Sequence, residues 1–387
     1  MKELAARALR PYGTSIFTEM SALAVAHNAV DLSQGFPDFD GPEDIRKVAA
    51  DAIMSGPNQY VPTQGIPELR RAVAGKMRRF YNVDVDENDE VTVTSGATEG
   101  LCATMLGILE PGDEVILLTP SYDAYPPLVS LAGAVIRYVS LEGTDFRLPR
   151  NKLAEAFGPK TRAIVLNNPQ NPCGKVFTRD ELDYIGALCK EHDAFAIGDE
   201  VYEHLVFDGR THVTLLSVPD LRDRAFVVSS TAKTFSMTGW KIGYVIAAPD
   251  LTRAVRMSHQ FITFCGNPAM QKAMAFAINL PDTYYETLLA DYTHRRSWLC
   301  KALQDTGFRV LQPEGTYYVT ADISSLGFHD DIDFCRMLPA QAGVAAIPCS
   351  YFWENRTRGK ELVRFCFCKK NETLREGIRR IKKWLKK

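Results

Sequence analysis

Residues 90–109 read EVTVTSGATEGLCATMLGIL, a strand, a turn and a helix in direct succession. EVTVT is a β-rich run and SGATEG carries the turn residues. Leu101, Met105, Ile108 and Leu109 then recur at the spacing of one helix face until PGDE (111–114) stops the helix. Working outward, further β-rich runs fall at 114–118 (EVILL), 134–141 (AVIRYVSL), 162–167 (RAIVLN), 194–198 (AFAIG) and 225–230 (AFVVSS). Segments of helical period separate them, and one, around 178–191, opens on Thr178 with Glu181 three residues on. This alternation predicts an α/β fold with a mostly parallel sheet covered by helices. KIGYVIAA (241–248) comes back too soon after 225–230 for a helical crossover, so it is read as an antiparallel strand of the same sheet.

The last hundred residues change character. A long helical segment around 283–305, a strand-like TYYVTAD (316–322), a helix near 331–342, ELVRFCFC (361–368) and a basic terminal helix predict a smaller α+β domain. The first forty residues have no strong periodicity and could pack against either part. At 387 residues, about two domains are expected. The 45 basic and 47 acidic residues nearly cancel, with no long basic run, which argues against nucleic acid or an anionic membrane and for a small-molecule partner. Nine scattered cysteines form no pair with metal-binding spacing and read as reduced thiols of a cytoplasmic protein; no metal is expected. No apolar run reaches the roughly 20 residues that span a bilayer.

In an open parallel sheet, ligands bind beyond the carboxyl ends of the strands. Here those ends carry SGATEG, TPSYDAY, NNPQNPCG, DEVY and SSTAK in turn. SGATEG opens a helix, whose free N–H groups favour an anion such as phosphate; it reads equally as a plain tight turn with Thr98 near the cap. Asp199 follows an apolar strand, where a buried carboxylate would need a cationic partner; it reads as a surface-exposed loop Asp, as one half of an ion pair with Lys or Arg, or as the partner of a protonated heterocycle nitrogen. Tyr122 and Tyr125 are core or rim aromatics, or platforms for a ring. No G-x-G-x-x-G or P-loop motif occurs. Anion donors, a ring platform, a carboxylate for a ring nitrogen and a lysine are together what pyridoxal 5'-phosphate requires.

The ordered set GTSIFTEMSALA, LSQGFPDF, NQYVPTQGIPELR, NNPQNPCGKVF, GDEVYEHLVFDG, SSTAKTFSMTGWKIGY, PEGTYYV and VRFCFCKKNETL spans nearly the whole chain. In this it resembles the class I/II aminotransferases of fold type I, and within them the kynurenine, glutamine and methionine aminotransferase group. The resemblance implies a large cofactor domain (41–285) built on a seven-stranded sheet sandwiched by helices. It also implies a small α+β domain (286–387), with residues 1–40 packed against it. Lys233 would form the aldimine with pyridoxal 5'-phosphate and shuttle the proton, and Asp199 would hold the pyridine nitrogen protonated. Asn171 and Tyr202 would bond the phenolic oxygen, and Tyr122 would stack on the ring. Ala97, Thr98, Ser230 and Lys241 would hold the phosphate, with Tyr60 reaching over from the second subunit of a homodimer. Lys241 stands in TGWKIG where the broader family has an arginine, and a lysine orients phosphate less than a guanidinium does. Arg364, with Gly35 and Asn171, would bind the substrate α-carboxylate; a fixed carboxylate such as Glu361 is the alternative partner for that arginine. Asn171-Pro172 is expected as a cis peptide, as in relatives. The implied reaction moves the amino group of an aromatic, methionine, glutamine or kynurenine-type amino acid to a 2-oxo acid. Alternatives are aspartate/2-oxoglutarate transamination and β-elimination from cysteine conjugates.

Overall fold

A computed structural model describes residues 4–56 and 58–386. Its largest sheet has seven strands in the order Val91–Thr94, Gly243–Ala247, Ala225–Ser230, Phe195–Asp199, Thr161–Asn167, Glu114–Thr119 and Val135–Ser140. Neighbours are parallel except Gly243–Ala247, which runs antiparallel to both strands beside it. The central strands lack polar alternation because both faces are covered. Val115, Leu117 and Val165 pack into one apolar cluster and Ile116, Leu118, Ile164 and Leu166 into the other. Only the edge strand Val135–Ser140 shows alternating exposure.

The helix Arg179–Glu191 starts as expected. Thr178 Oγ accepts the Glu181 N–H at 3.2 Å, and Glu181 Oε2 accepts the Thr178 N–H at 3.0 Å. Helices Glu43–Ser55, Pro67–Tyr81, Pro249–Ile262 and Pro268–Ile278 were not among the predicted elements. Two details differ from expectation. Ser95, not Thr98, caps the helix Gly96–Ile108. Lys241 does not enter the returning strand: it ends the short 3-10 turn Thr238–Trp240 at φ 55°, and the strand starts at Gly243. The Asn171-Pro172 peptide is cis, as are Thr119-Pro120 and Asn168-Pro169.

The C-terminal part contains a four-stranded antiparallel sheet, Ile347–Pro348, Leu362–Cys366, Tyr318–Asp322 and Arg309–Leu311. The helix Asp282–Gln304 leads into it without a break. The N-terminal segment joins this part, where Val30–Asp31 pairs with Val344–Ala345 and Glu19 meets Arg336 at 2.7 Å. It also touches the large sheet's loops, where Ser15 Oγ donates to Asp123 at 2.8 Å and Tyr12 meets Ser130 at 2.7 Å. No helix of the described residues is long and apolar enough to cross a membrane.

Candidate active site

The carboxyl ends of the central strands open into a cavity of about 370 Å³. Ten of the residues singled out from sequence lie on its wall: Gly35, Ala97, Thr98, Tyr122, Asn171, Asp199, Tyr202, Ser230, Lys233 and Lys241. They come from segments up to some 200 positions apart in the chain. The sheet brings most of them together because they follow strands that end on the same rim; Lys241 instead precedes the antiparallel strand Gly243–Ala247, and Gly35 comes from the N-terminal segment.

The turn at one end is built by two glycines. Gly96 has φ 74°, and a Cβ there would come within 3.3 Å of Lys241 Nζ. A Cβ on Gly243 would meet Gly96 C at 2.6 Å and the Ala97 nitrogen at 2.7 Å. A side chain at Gly243 would push the returning strand off the helix start, and one at Gly96 would strain its left-handed backbone and crowd the Lys241 ammonium. The result places the Lys241 ammonium beside the N-terminus of Gly96–Ile108, both of one sign of field, which is a setting for an anion.

Asp199 ends its strand buried. Oδ2 accepts the Tyr125 hydroxyl at 2.7 Å and Oδ1 the Val201 N–H at 3.4 Å. Among the described residues no Lys or Arg pairs with it, so the ion-pair alternative falls away. Burial pushes its pKa up to about 6, with the Tyr125 bond pulling the other way. The two tyrosines of TPSYDAY therefore part company. Tyr122 lines the cavity, whereas Tyr125 is buried beneath and holds the carboxylate.

Lys233 stands between aromatic rings, its Nζ 5.8 Å from the Tyr202 centroid and 5.6 Å from that of Tyr317. Among the described residues its amine has no hydrogen-bond or ion-pair partner. Burial lowers its pKa, partly offset by Cys368 and Asp199. Tyr202 is buried, its hydroxyl 3.3 Å from that of Tyr318.

Arg364 is not on the cavity wall. It lies fully buried behind Asn171 and Tyr318: Nη1 donates to Asn171 Oδ1 at 2.7 Å and Nη2 to the Ser33 carbonyl at 3.0 Å. Its guanidinium sits 3.9 Å from the Tyr318 ring centroid, and Nε has no partner. Glu361, the alternative acceptor, bonds His329 at 2.8 Å instead. A buried cation without a fixed anion is costly unless something supplies one. Gly35 is required, but by packing: a Cβ there would fall 1.8 Å from the Tyr318 hydroxyl. Tyr60 lies outside this cavity, 84% exposed, its ring edge-on to Phe264 at 5.2 Å.

Against known proteins, the model of the family "Aminotransferase class I and II" matches residues 27–381. The chain belongs to this family. It is 43% identical over 383 residues to the probable N-succinyldiaminopimelate aminotransferase DapC of Mycobacterium tuberculosis, covering 96% of both chains. It is 40% identical over 370 residues to the methionine aminotransferase of Escherichia coli, again covering 96% of both. The solved N-succinyldiaminopimelate aminotransferase of M. tuberculosis superposes with a TM-score of 0.96 over 98% of this chain and 100% of that one. This class I and II aminotransferase is thus a pyridoxal-phosphate-dependent transaminase that moves an amino group between an amino acid and a 2-oxo acid.

Sequence reading assigned no role to Tyr318 or Asp123, both of which line the cavity, and it took Tyr125 for a core or platform aromatic rather than the partner of Asp199. The signal for Tyr318 was available. Its strand pairs with that of Arg364, with Thr320 opposite the arginine and Tyr318 opposite Cys366.

Proposed function

We propose that this transaminase acts on amino acids with neutral side chains, using Lys233 as the reacting amine and Asp199, Asn171 and Tyr202 as the groups that orient and polarise the cofactor. The chain fits pyridoxal 5'-phosphate on its own features: an unpartnered buried amine, a buried carboxylate without a cation, and a glycine-built turn beside Lys241. When bound, the cofactor supplies an aldehyde and an electron-withdrawing ring. Burial disfavours the ammonium form of Lys233, which suits the residue to act as nucleophile, and its Nζ would then take the proton from the substrate α-carbon. Asp199 offers the counter-charge to a protonated ring nitrogen. The turn 95–98 with Ser230 and Lys241 receives the phosphate. Tyr122 offers its ring as a stacking face.

The single observation that carries the substrate reading is the character of one cluster on the cavity wall. Ser15 Oγ donates to Asp123 at 2.8 Å, the Phe17 ring lies 6.3 Å from that of Tyr122, and Asp123 is the one carboxyl group among the four. A side-chain carboxylate would meet repulsion and no free cation, because both wall lysines belong to the cofactor. The α-carboxylate is the anion that Arg364 lacks. A donor panel tests the reading: methionine and phenylalanine should give kcat/KM well above aspartate, and a preference for aspartate would overturn it. Arg364→Lys should raise KM for the donor about 10- to 100-fold, since a point charge replaces a fork of hydrogen bonds.

A pH dependence follows from Asp199. Its folded pKa is raised from 3.8 to about 6, so the cofactor-free protein binds an extra proton between those values. Stability should therefore fall as pH rises through that window. Melting curves of the stripped protein and of Asp199→Asn, recorded from pH 4 to 7, check this; the variant should lack Asp199's share of the slope, while that of Asp331, also raised to about 6, remains.

Tyr60, exposed with its ring against Phe264, supports a homodimer in which it reaches the partner's phosphate site. The nine free cysteines support a cytoplasmic location. We carry forward the division into a large domain, a small domain and an N-terminal segment, with the helix Asp282–Gln304 as the link between the first two.

A further inference from the structure

His259 is buried on the helix Pro249–Ile262, and both of its ring nitrogens face acceptors. Nδ1 is 3.0 Å from Glu99 Oε1, and Nε2 is 2.8 Å from the carbonyl oxygen of Thr63. A backbone carbonyl can only accept, so Nε2 carries a proton. The proton shared with Glu99 belongs on the imidazole, whose ordinary pKa exceeds a carboxyl's by about two units. The ring is therefore an imidazolium. Two charges bear on it, Glu99 from the helix Gly96–Ile108 and Arg256 from its own helix. Burial and Arg256 oppose the cation, and the bonds to Glu99 and Thr63 outweigh them and hold the pKa above its ordinary value.

The partners give this cation a place in the site. Glu99 Oε2 accepts the N–H of Ser95 at 2.9 Å, so the carboxylate grips the cap of the anion-binding turn. Thr63 belongs to the loop that presents Tyr60, and Gln64 of that loop is tied to the same strand end through the Val93 N–H at 3.0 Å. Ser95, Glu99, His259 and Thr63 thus form one continuous chain of hydrogen bonds. A neutral imidazole would have to release one end.

We infer that His259 is a charged positioning residue that locks the phosphate-binding turn 95–98 to the Tyr60 loop, holding the cofactor's phosphate end and the residue offered to the partner subunit in one register. This rests on the assignment of that turn to phosphate made above.

The test uses the holoenzyme labelled with ¹⁵N-histidine, with His259→Gln identifying the resonance. Both ring nitrogens of His259 should show protonated shifts at pH 7. His259→Gln and Glu99→Gln should each weaken retention of pyridoxal 5'-phosphate about 10- to 100-fold, the worth of one charge-assisted hydrogen bond. Glu99→Gln can keep one oxygen as acceptor for Ser95 while removing the charge and turning its NH2 toward His259 Nδ1, so it breaks the imidazolium's bond without altering the histidine and decides the matter if His259→Gln does not fold. An unprotonated ring nitrogen at pH 7, or unchanged cofactor dissociation in both variants, would overturn the inference. Failure of the functional reading has a different signature: Lys233→Ala would leave the cofactor's absorbance unaltered, while the ring's protonation would be read independently.

Discussion

Lys233→Ala should lower transaminase turnover by about four orders of magnitude while leaving the fold intact. The size follows from two losses in one residue, the nucleophilic amine and the proton carrier. Neighbouring lysines cannot substitute. Lys241 ends the 3-10 turn on the other side of the cavity beside Gly96, and its ammonium faces the helix start. The fold should survive because Lys233 has no hydrogen bond or ion pair to lose among the described residues, and removal of a partly buried amine relieves desolvation. Single-turnover absorbance with a saturating amino donor checks the result. A variant retaining more than a hundredth of wild-type turnover would assign the proton transfer to another group.

The second large effect is on stability. Lys76 and Glu203 form a buried ion pair directly behind the site. Lys76 Nζ lies 2.7 Å from both carboxylate oxygens and from the Tyr244 hydroxyl. Glu203 also accepts from Tyr81 at 2.6 Å and from Ser229 at 2.9 Å. Burial works against both charges, yet their mutual attraction prevails, so the Lys76 pKa is raised and that of Glu203 is held well below the carboxylate range. Lys76→Met should cost about 3–5 kcal/mol, because it strands a buried carboxylate. Urea unfolding at pH 7 measures this. The depressed pKa of Glu203 fixes the sign of the pH effect: the pair's contribution is present above the unfolded carboxyl pKa and is lost on acidification, so the variant's deficit should shrink at low pH. Adding Glu203→Met to Lys76→Met should recover much of the loss. Additive costs would argue against a coupled pair.

That pair also shows where sequence reading stops. In the helix Pro67–Tyr81, which was not among the predicted elements, Lys76 shares the buried face with Leu69, Ala72, Val73 and Met77, and neither its burial nor its partner 127 positions away was read from the sequence. The parallel sheet was legible because strands covered on both faces must be continuous apolar runs, and the polar residues at their ends are forced onto one rim. What periodicity cannot supply is depth. Tyr122 and Tyr125 look alike in TPSYDAY, but the second begins a helix and points under the sheet's rim to Asp199. Arg364 was recognisable as an arginine in need of an acceptor, whereas its withdrawal behind Asn171 and Tyr318 depends on how two sheets meet. Gly35, read from sequence as a place of close backbone approach, also makes room for the Tyr318 phenol, a packing need that only the fold reveals.

The antiparallel return of Gly243–Ala247 has a consequence for the lysine itself. The strand that precedes Lys233 and the strand that follows it are hydrogen-bonded neighbours, with Ser230 opposite Gly243. The segment between them is therefore a closed loop whose two ends are clamped about 5 Å apart. Most of the entropy of bringing this amine to the rim is spent when the sheet forms, not when a substrate arrives. The reacting group is delivered by folding.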